Sequence, residues 1–491
     1  MAYILSIDQG TTGTTVSLVN SLGEIAFSAN QDFEQIYPQP GWVEHRPSDI
    51  WSTVETCTKE VLEKSRIPAS EIKAIGITNQ RETVVMWERS TSRPVYNAIV
   101  WQCRRTTDFC KKLTRFKAKI KSKTGLVIDP YFSASKIRWI IDNNNSLKPK
   151  IKNKELAAGT IDSFLIWKLT NGISHVTDVS NASRTQLMNI KRGSWDKELL
   201  KIFGINESLL PEIKESSGIL GHTKGLGFLP DGIPIAGVAG DQQAALFGQV
   251  CFEVGEAKCT FGTGSFMLMN TGTNMVLSKS GLLTTVAWKI GKKLTYALEG
   301  SVFICGASVQ WLRDNLQFIE KSSDVEALAG EVDDSGGVEF VPALTGLGAP
   351  YWNPEARGLI CGLTRGTTRA HIARATLEAM ALQNSDVLIA MQKDLKRKLK
   401  KLKVDGGAAE NNLLMQIQAD YLNTETIRPS NVETTSLGAA YLAGLGVGLW
   451  KDIREIQKIW KENKKFTPKM TEKKRKERFK KWHTAIRRAQ L

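Results

Sequence analysis

Tyr3-Ile4-Leu5-Ser6-Ile7-Asp8-Gln9-Gly10-Thr11-Thr12-Gly13-Thr14-Thr15 is a short apolar run that meets a carboxylate, a glycine turn and a cluster of hydroxyls. Gly10 and Gly13 permit φ > 0 and bring backbone close to a ligand. Successive backbone N–H groups in such a turn form an anion-binding nest. The Thr hydroxyls add donors to phosphate oxygens, and Asp8 suits Mg²⁺, directly or through water. The stretch predicts a nucleotide phosphate site, although plain hairpin turns share this composition. It is not a Walker A loop, since no Gly-Lys-Thr/Ser follows.

The pattern restarts near residue 255. Lys258-Cys-Thr260-Phe-Gly262-Thr263-Gly264-Ser265-Phe266 is again a strand entering a Gly/Thr turn. Val404-Asp405-Gly406-Gly407-Ala408-Ala409-Glu410-Asn411-Asn412 is a third strand, followed by a glycine turn and a helix start, suited to an anion or to a base and ribose. Two Gly/Thr turns, one per half, predict a duplicated α/β unit with a ligand cleft between the copies. The 491 residues exceed one core, so two domains of roughly 250 residues are expected.

Between these turns strands and helices alternate. Strands are predicted at 15–20, 24–30, 72–78, 83–88, 96–101, 233–238, 266–270, 282–289 and 295–300, with a hairpin turn at Asn20-Ser-Leu-Gly23. Helices are predicted at 49–65, 105–122, 133–143, 162–169, 196–204, 243–250 and 306–314. The longest uncharged stretch, 434–450, is rich in Gly and Ala and too short for a membrane span of about 20 large apolar residues. It reads as a buried helix packed closely through small side chains.

Composition is that of an ordinary globular protein, 42% hydrophobic and 24% charged. Seven scattered Cys (57, 103, 110, 251, 259, 305, 361) make no C-x-x-C pair and read as reduced thiols in a cytoplasmic protein. Asp8 interrupts the first apolar run, so no signal peptide is expected. Net charge +16 raises a nucleic-acid reading. Its distribution argues against that: residues 451–491 hold 16 Lys and Arg against 5 Asp and Glu, a net +11, with further basic runs at 111–123 and 392–403. Phe479 and Trp482 in the tail have the i, i+3 spacing of an apolar stripe on a basic helix rather than of a base-stacking platform.

The three turns together resemble the actin-like, ribonuclease-H-like ATPases, and longer motifs resemble the FGGY carbohydrate kinases. Tyr131-Phe-Ser133-Ala-Ser-Lys136-Ile-Arg-Trp139-Ile-Ile-Asp142-Asn143 looks like that family's N-terminal signature. Gly362-Leu-Thr-Arg-Gly366 with His371-Ile-Ala-Arg-Ala375-Thr376-Leu377-Glu378 looks like its C-terminal one. Gly76-Ile-Thr-Asn-Gln-Arg-Glu-Thr83, Asn97-Ala-Ile-Val-Trp-Gln-Cys-Arg-Arg105, Gly240-Asp-Gln-Gln-Ala-Ala-Leu-Phe-Gly248 and Thr345-Gly-Leu-Gly-Ala-Pro-Tyr-Trp352 are similar to members that phosphorylate glycerol.

The resemblance implies two ribonuclease-H-like domains, at 1–250 and 251–491, an interdomain catalytic cleft and a basic helical tail at about 464–491. A hinge is expected near 248–256, with a second crossing after the last helices. It implies Mg-ATP as phosphoryl donor, glycerol as acceptor and sn-glycerol 3-phosphate as product, the entry step of glycerol catabolism. It also implies a homodimer or homotetramer, with neither nucleic acid nor membrane span involved.

Asp241, after an apolar strand and before a helix, is the candidate general base and, with Asp8, faces the metal; its alternative is a helix cap. Arg81 can donate a forked pair of hydrogen bonds to a triol, Glu82 can accept two, Tyr131 and Gln242 add one or two more, and Trp101 and Phe266 offer flat apolar surfaces. Thr11, Thr12, Gly13, Thr14 and Thr263 are expected on the phosphates, and the resemblance implies that Gly306, Gln310, Gly407 and Asn411 line the nucleotide.

Two departures stand out. Gly13 and Thr15 replace Ser and Arg common in the family's first phosphate turn, which removes donors to phosphate. Some bacterial members bind an inhibitory sugar bisphosphate through a Gly-rich loop carrying Arg. Here Gly225-Leu-Gly-Phe-Leu-Pro-Asp231-Gly232 has no Arg, and Asp231 repels an anion, so no such inhibition is expected. The competing readings are a pentulose kinase, against which Arg81-Glu82 with Trp101 argue, and an actin-like switch protein, which needs no polyol pocket.

Overall fold

The computed structural model describes residues 2–491. Thirteen strands form one continuous sheet. In the first half these are β1 (Tyr3–Gln9), β2 (Gly13–Asn20), β3 (Ile25–Asp32), β4 (Ile72–Asn79), β5 (Ser217–His222) and β6 (Pro234–Gly240). In the second they are β7 (Ala257–Phe261), β8 (Ser265–Gly272), β9 (Leu283–Ile290), β10 (Lys293–Val302), β11 (Lys401–Asp405), β12 (Glu425–Pro429) and β13 (Glu462–Phe466). Their order is β13-β12-β11-β7-β8-β10-β9-β5-β6-β4-β1-β2-β3.

The two halves repeat one plan. β1–β2 and β2–β3 are antiparallel, while β4 runs parallel to β1 and β6 parallel to β4. Likewise β7–β8, β8–β10 and β10–β9 are antiparallel, β11 runs parallel to β7 and β12 parallel to β11. This is the expected pair of ribonuclease-H-like units. What the sequence did not announce is that they join edge to edge. β5 bridges them, antiparallel to β6 and paired with β9 at Ser217↔Ile290.

The principal helices are α1 (Pro47–Ser65), α2 (Ser133–Asp142), α3 (Asp241–Gly248), α4 (Gly306–Asp314), α5 (Arg369–Leu395), α6 (Asn412–Leu422), α7 (Thr434–Gly446) and α8 (Glu472–Ala489). Three predictions shift. The helix expected at 105–122 is two short helices, Thr107–Lys112 and Lys117–Thr124, separated by a 3₁₀ turn. The strand expected at 96–101 shrinks to Ala98–Ile99. The helix expected at 243–250 begins at Asp241, so Gly240 is its N-cap and Asp241 its first helical residue.

α7 carries the join. Although late in the chain, it packs on β1, β4 and β6 of the first half, with Ser6 Oγ donating to Ser436 O (2.7 Å) and Ser217 Oγ to Leu442 O (2.8 Å). Its small residues permit this: a Cβ on Gly438 would overlap the backbone of Ala244 in α3, and one on Gly237 of β6 would overlap Ala443. Backbones this close forbid any larger side chain. One apolar core therefore draws on both halves, uniting Ile4, Ala74, Ala244, Phe247, Leu268, Trp288, Leu437 and Tyr441. The second crossing between halves is thus α7 itself, before α8 rather than after the last helices, because β13 returns to pair with β12.

The basic tail is docked. Trp482, Ala485 and Ile486 of α8 are buried in the second half's core with Phe479 packed against it. Trp482 Nε1 and Tyr351 Oη both donate to Asp386 (2.7 and 2.6 Å). A separate four-stranded sheet is ordered Glu44–His45, Ala98–Ile99, Val84–Glu88 and Leu156–Thr160.

Candidate active site

The first phosphate turn lies beside the turn after β4. Gln80 N donates to Gln9 O (2.7 Å) and Gln80 Nε2 to Gly10 O (3.0 Å). Gly10 and Gly13 do not take positive φ, contrary to expectation. Gly13 is required for space instead: a Cβ there would stand 2.5 Å from Asp32 Oδ1. Thr14 needs a second correction. It is buried in β2, and its hydroxyl pairs with that of Thr53 in α1 at 2.8 Å, because strand alternation turns it away from the cleft. Thr12 is exposed, and Thr11 accepts a hydrogen bond from Trp101 Nε1 (2.9 Å), leaving its proton free to donate.

The second and third turns meet at the ends of β7 and β11. Cys305 N and Ala307 N both donate to Thr263 O, and Gly306 N to Gly262 O, so the N-terminus of α4 is stitched to the second turn. Gly406 has φ +84°, and a Cβ there would lie 2.6 Å from Phe261 O, so only glycine allows the third turn to close on the second. Thr263, Gly306 and Gly407 are thereby gathered, with Gln310 exposed one turn along α4. Asn411 caps α6, its Oδ1 accepting from Leu414 N (2.8 Å). Open α/β sheets bind ligands at such carboxyl ends.

The residues expected to bind a polyol also converge. Trp101 packs edge-on against Tyr131 (5.5 Å between ring centres) and Phe266 (6.3 Å), making an apolar wall from both halves. Glu82 sits at φ +60°, in a three-residue turn closed by Thr83 N donating to Arg81 O (2.7 Å). Such a backbone costs roughly 1–3 kcal/mol and persists where surroundings enforce it. Here Ser133 Oγ donates to Glu82 O (3.1 Å). Lys136, fully buried, donates to Tyr131 O and Phe132 O (2.5 and 3.1 Å), fixing the loop that presents Tyr131.

The fork of Arg81 is not free for a polyol, as the sequence suggested. Nη1 and Nη2 both bond Glu299 on β10 (2.5 and 3.1 Å), while Nε faces Asp241 Oδ1 at 3.1 Å. Glu299 also accepts from Arg184 Nη2 (2.8 Å), and Arg184 Nε donates to Glu82 (2.5 Å). Glu299, Arg184 and Lys258 were all missed from sequence. Lys258 is buried and donates to Gln242 Oε1 and to Thr260 Oγ1 (2.7 Å), which leaves the amide nitrogen of Gln242 for the cleft. A buried charge inside a strand was the available signal, since such residues are rarely interior without a partner.

Asp241 is the one partly exposed carboxylate of this cluster, its side chain 30% accessible. Burial pushes its carboxyl up, and the charges of Arg81 and Lys258 pull against that. Its only capping-like contact is from its neighbour Gln242 N (2.6 Å), so it does not serve as the cap of α3. Asp8 is pushed up to about 7, by burial first and then by the charges of Asp241 and Glu433. Asp8, which has no cation beside it among the described residues, and Asp241, paired with Arg81 through one oxygen, suit a hard divalent cation. Mg²⁺ takes only one or two carboxylates and completes its shell with water and phosphate. The residues present fit it as an ion that arrives on the nucleotide.

Comparison with known proteins identifies the family. Residues 3–248 match the N-terminal domain of the FGGY family of carbohydrate kinases, and residues 257–447 match its C-terminal domain. The chain belongs to the FGGY family of carbohydrate kinases. Among FGGY relatives, a Bdellovibrio bacteriovorus glycerol kinase is 61% identical over 490 residues, covering 99% of each chain. Glycerol kinase 2 of Sulfolobus acidocaldarius is 54% identical, covering 99% of this chain and 97% of that protein. The crystal structure of Plasmodium falciparum glycerol kinase with ADP superposes with TM-score 0.94 at 40% identity, covering 100% of this chain and 99% of that one.

Proposed function

We infer that this FGGY kinase transfers the γ-phosphoryl group of ATP to glycerol, giving ADP and sn-glycerol 3-phosphate. The observation that carries the reading is the constellation of Arg81, Glu82, Asp241 and the Trp101–Tyr131–Phe266 wall beside three phosphate turns, in a chain 61% identical throughout to a glycerol kinase.

Asp241 serves as general base. It must take the proton of the attacking hydroxyl as the O–P bond forms, and a carboxyl raised by burial accepts a proton more readily than one at its ordinary value. Arg81 Nε, beside Asp241, orients that hydroxyl; Glu82 accepts from another; the aromatic wall takes the C–H edge. A triol analogue lacking a hydroxyl leaves these buried groups unpaired, which is a strong form of rejection. Asp8 and Asp241 would face a Mg²⁺ arriving with the nucleotide, which would supply neutralisation of charge on the phosphates. Thr11, Thr12 and Thr263, with the backbone of the glycine turns, hold the phosphates, while Gly306, Gln310, Gly407 and Asn411 line the nucleoside. Water in an open cleft competes for the phosphoryl group, so the halves at 1–250 and 251–491 close over both substrates.

A homodimer or homotetramer is proposed and is read directly by light scattering. A cytoplasmic location is proposed on the seven unbridged thiols. No helix among the described residues is long and apolar enough to cross a membrane.

The test is ADP release with Mg-ATP against glycerol, dihydroxyacetone, xylulose, ribulose, gluconate and no acceptor, with Asp241→Asn alongside. Glycerol-dependent turnover that falls by about 10²–10⁴ in the variant is the expected result. Turnover on a pentulose overturns the acceptor, and acceptor-independent hydrolysis overturns the kinase reading.

A further inference from the structure

Arg81 and Arg184 belong to the first half of the chain, and Glu299 to β10 in the second. Glu299 is almost fully buried (1% exposed), as are both arginines. Its two oxygens hold three guanidinium nitrogens: Arg81 Nη1 (2.5 Å) and Nη2 (3.1 Å), and Arg184 Nη2 (2.8 Å). Arg184 in turn grips one oxygen of Glu82, and its Nη1 is buried without a partner. Phe266, part of the apolar wall, pairs with neighbouring strand residue Ser301, so Glu299 and the wall stand on one face of β8–β10.

We propose that Glu299 is a positioning residue for the acceptor site, holding Arg81 and Arg184 from across the cleft so that Arg81 and Glu82 meet the polyol in one fixed geometry. The proposal deepens the reading of this site as a polyol kinase. The physical reason lies in the number of bonds each guanidinium can share. With Glu299 present, both terminal nitrogens of Arg81 are occupied and only its Nε edge faces Asp241. Without it, two buried guanidinium groups are left with Glu82 and Asp241 as their carboxylate partners. Arg81 then turns its fork onto Asp241 in a bidentate pair, which occupies both oxygens of the base. Arg184, with its Nη1 already orphaned, competes for the second oxygen of Glu82, the one not bonded by Arg184 in this structure. Both changes remove acceptors that a triol would use, and neither touches the nucleotide turns.

A carboxylate-to-amide change keeps size and removes charge, so Glu299→Gln is the primary variant and Glu299→Asp the conservative one. For each, kcat and KM are measured for glycerol and for ATP, ADP binding is measured by calorimetry, and kcat/KM is compared between glycerol and propane-1,2-diol. Glu299→Gln is expected to raise glycerol KM at least tenfold and lower kcat, with ADP affinity within twofold of wild type. Its preference for glycerol over the diol falls at least tenfold, because Asp241 and Glu82, captured by the two arginines, no longer depend on the hydroxyl that the diol lacks. Glu299→Asp, which keeps the charge, recovers part of both losses. The proposal is overturned if glycerol KM and the glycerol/diol ratio stay within twofold of wild type. It is equally overturned if ADP and glycerol binding weaken together, the signature of general unfolding. Should Glu299→Gln not fold, the same criteria apply to Glu299→Asp, for which an unchanged glycerol/diol ratio is the overturning result. Failure of the wild-type enzyme to use glycerol is a separate outcome that overturns the acceptor assignment through the wild-type assay alone.

Discussion

At the scale of single residues, charge pairing in a dry site governs behaviour. Arg81 contacts Glu299, Asp241 and Gln243 through three different nitrogens of one planar group. A lysine keeps the charge but cannot span them. Arg81→Lys is therefore expected to lose about tenfold or more in kcat/KM for glycerol, read from steady-state kinetics with ATP saturating. A second buried carboxyl lies away from the cleft. Asp162, in the helix Ile161–Leu169, accepts from Thr160 (2.5 Å) and Thr177 (2.6 Å). Burial, and then the charge of Asp178, push it up to about 7. Its folded value exceeds its unfolded one, so the protonated form favours the fold. That contribution is complete below about pH 4 and is lost as pH rises through about 7. Asp162→Asn is expected to be more stable than wild type at pH 8, by on the order of 2–4 kcal/mol, with the gap closing toward pH 4. Paired thermal melts across that range check it; a gap independent of pH refutes it.

At the scale of elements, α7 and α8 show how differently two late helices can be tied in. α7 has almost no volume to spare, since a Cβ on Gly438 or Gly446 would meet backbone and one on Gly444 the Trp450 ring. Gly438→Ala forces α3 and α7 apart and is expected to cost about 3 kcal/mol or more, seen as a lowered calorimetric Tm. α8 is amphipathic, basic outward and apolar inward. Trp482→Ala opens a cavity in the second half's core and orphans a bond to Asp386, at an expected cost of about 3–5 kcal/mol by denaturant titration. The Gly225–Gly232 loop closes on itself: Asp231 pairs with Lys224 (2.7 Å) and accepts from Gly225 N (2.7 Å). Its cation and an amide are thereby consumed, so fructose 1,6-bisphosphate at millimolar levels is expected to leave the rate unchanged; measurable inhibition refutes this.

At the scale of the whole molecule, one sheet spans both halves, yet the halves meet through little regular pairing. The Ser217↔Ile290 pair, the bonds of Glu299 to Arg81 and Arg184 and the shared core around α3 and α7 are what a closing motion would have to deform or carry along. A cavity of about 490 Å³ lined by Glu215, Phe252, Trp288 and Leu445 lies at this junction. Closure on ligands predicts that glycerol together with a non-hydrolysable ATP analogue compacts the protein, measured as a smaller radius of gyration by X-ray scattering than either ligand produces alone.

Much of this was written locally. Strand β1, its glycine turn and the Asn79–Glu82 turn are legible because apolar periodicity and turn chemistry act over a few residues. So are Asp241 after its strand and the apolar stripe of Phe479 and Trp482. Thr14 was misjudged because a hydroxyl in a Thr-rich turn looks the same whether strand alternation sends it to phosphate or to Thr53. Glu299 was missed for a stronger reason: a carboxylate inside a strand signals burial, but its partner Arg81 lies 218 residues away and nothing nearby in the chain names it. The sequence by itself determined the two repeated units and the chemistry of their turns, since both depend on neighbours in the chain. Only the tertiary structure decided that α7 locks the halves together and that Glu299 holds both arginines, because those contacts exist only once distant faces are brought into one water-excluded place.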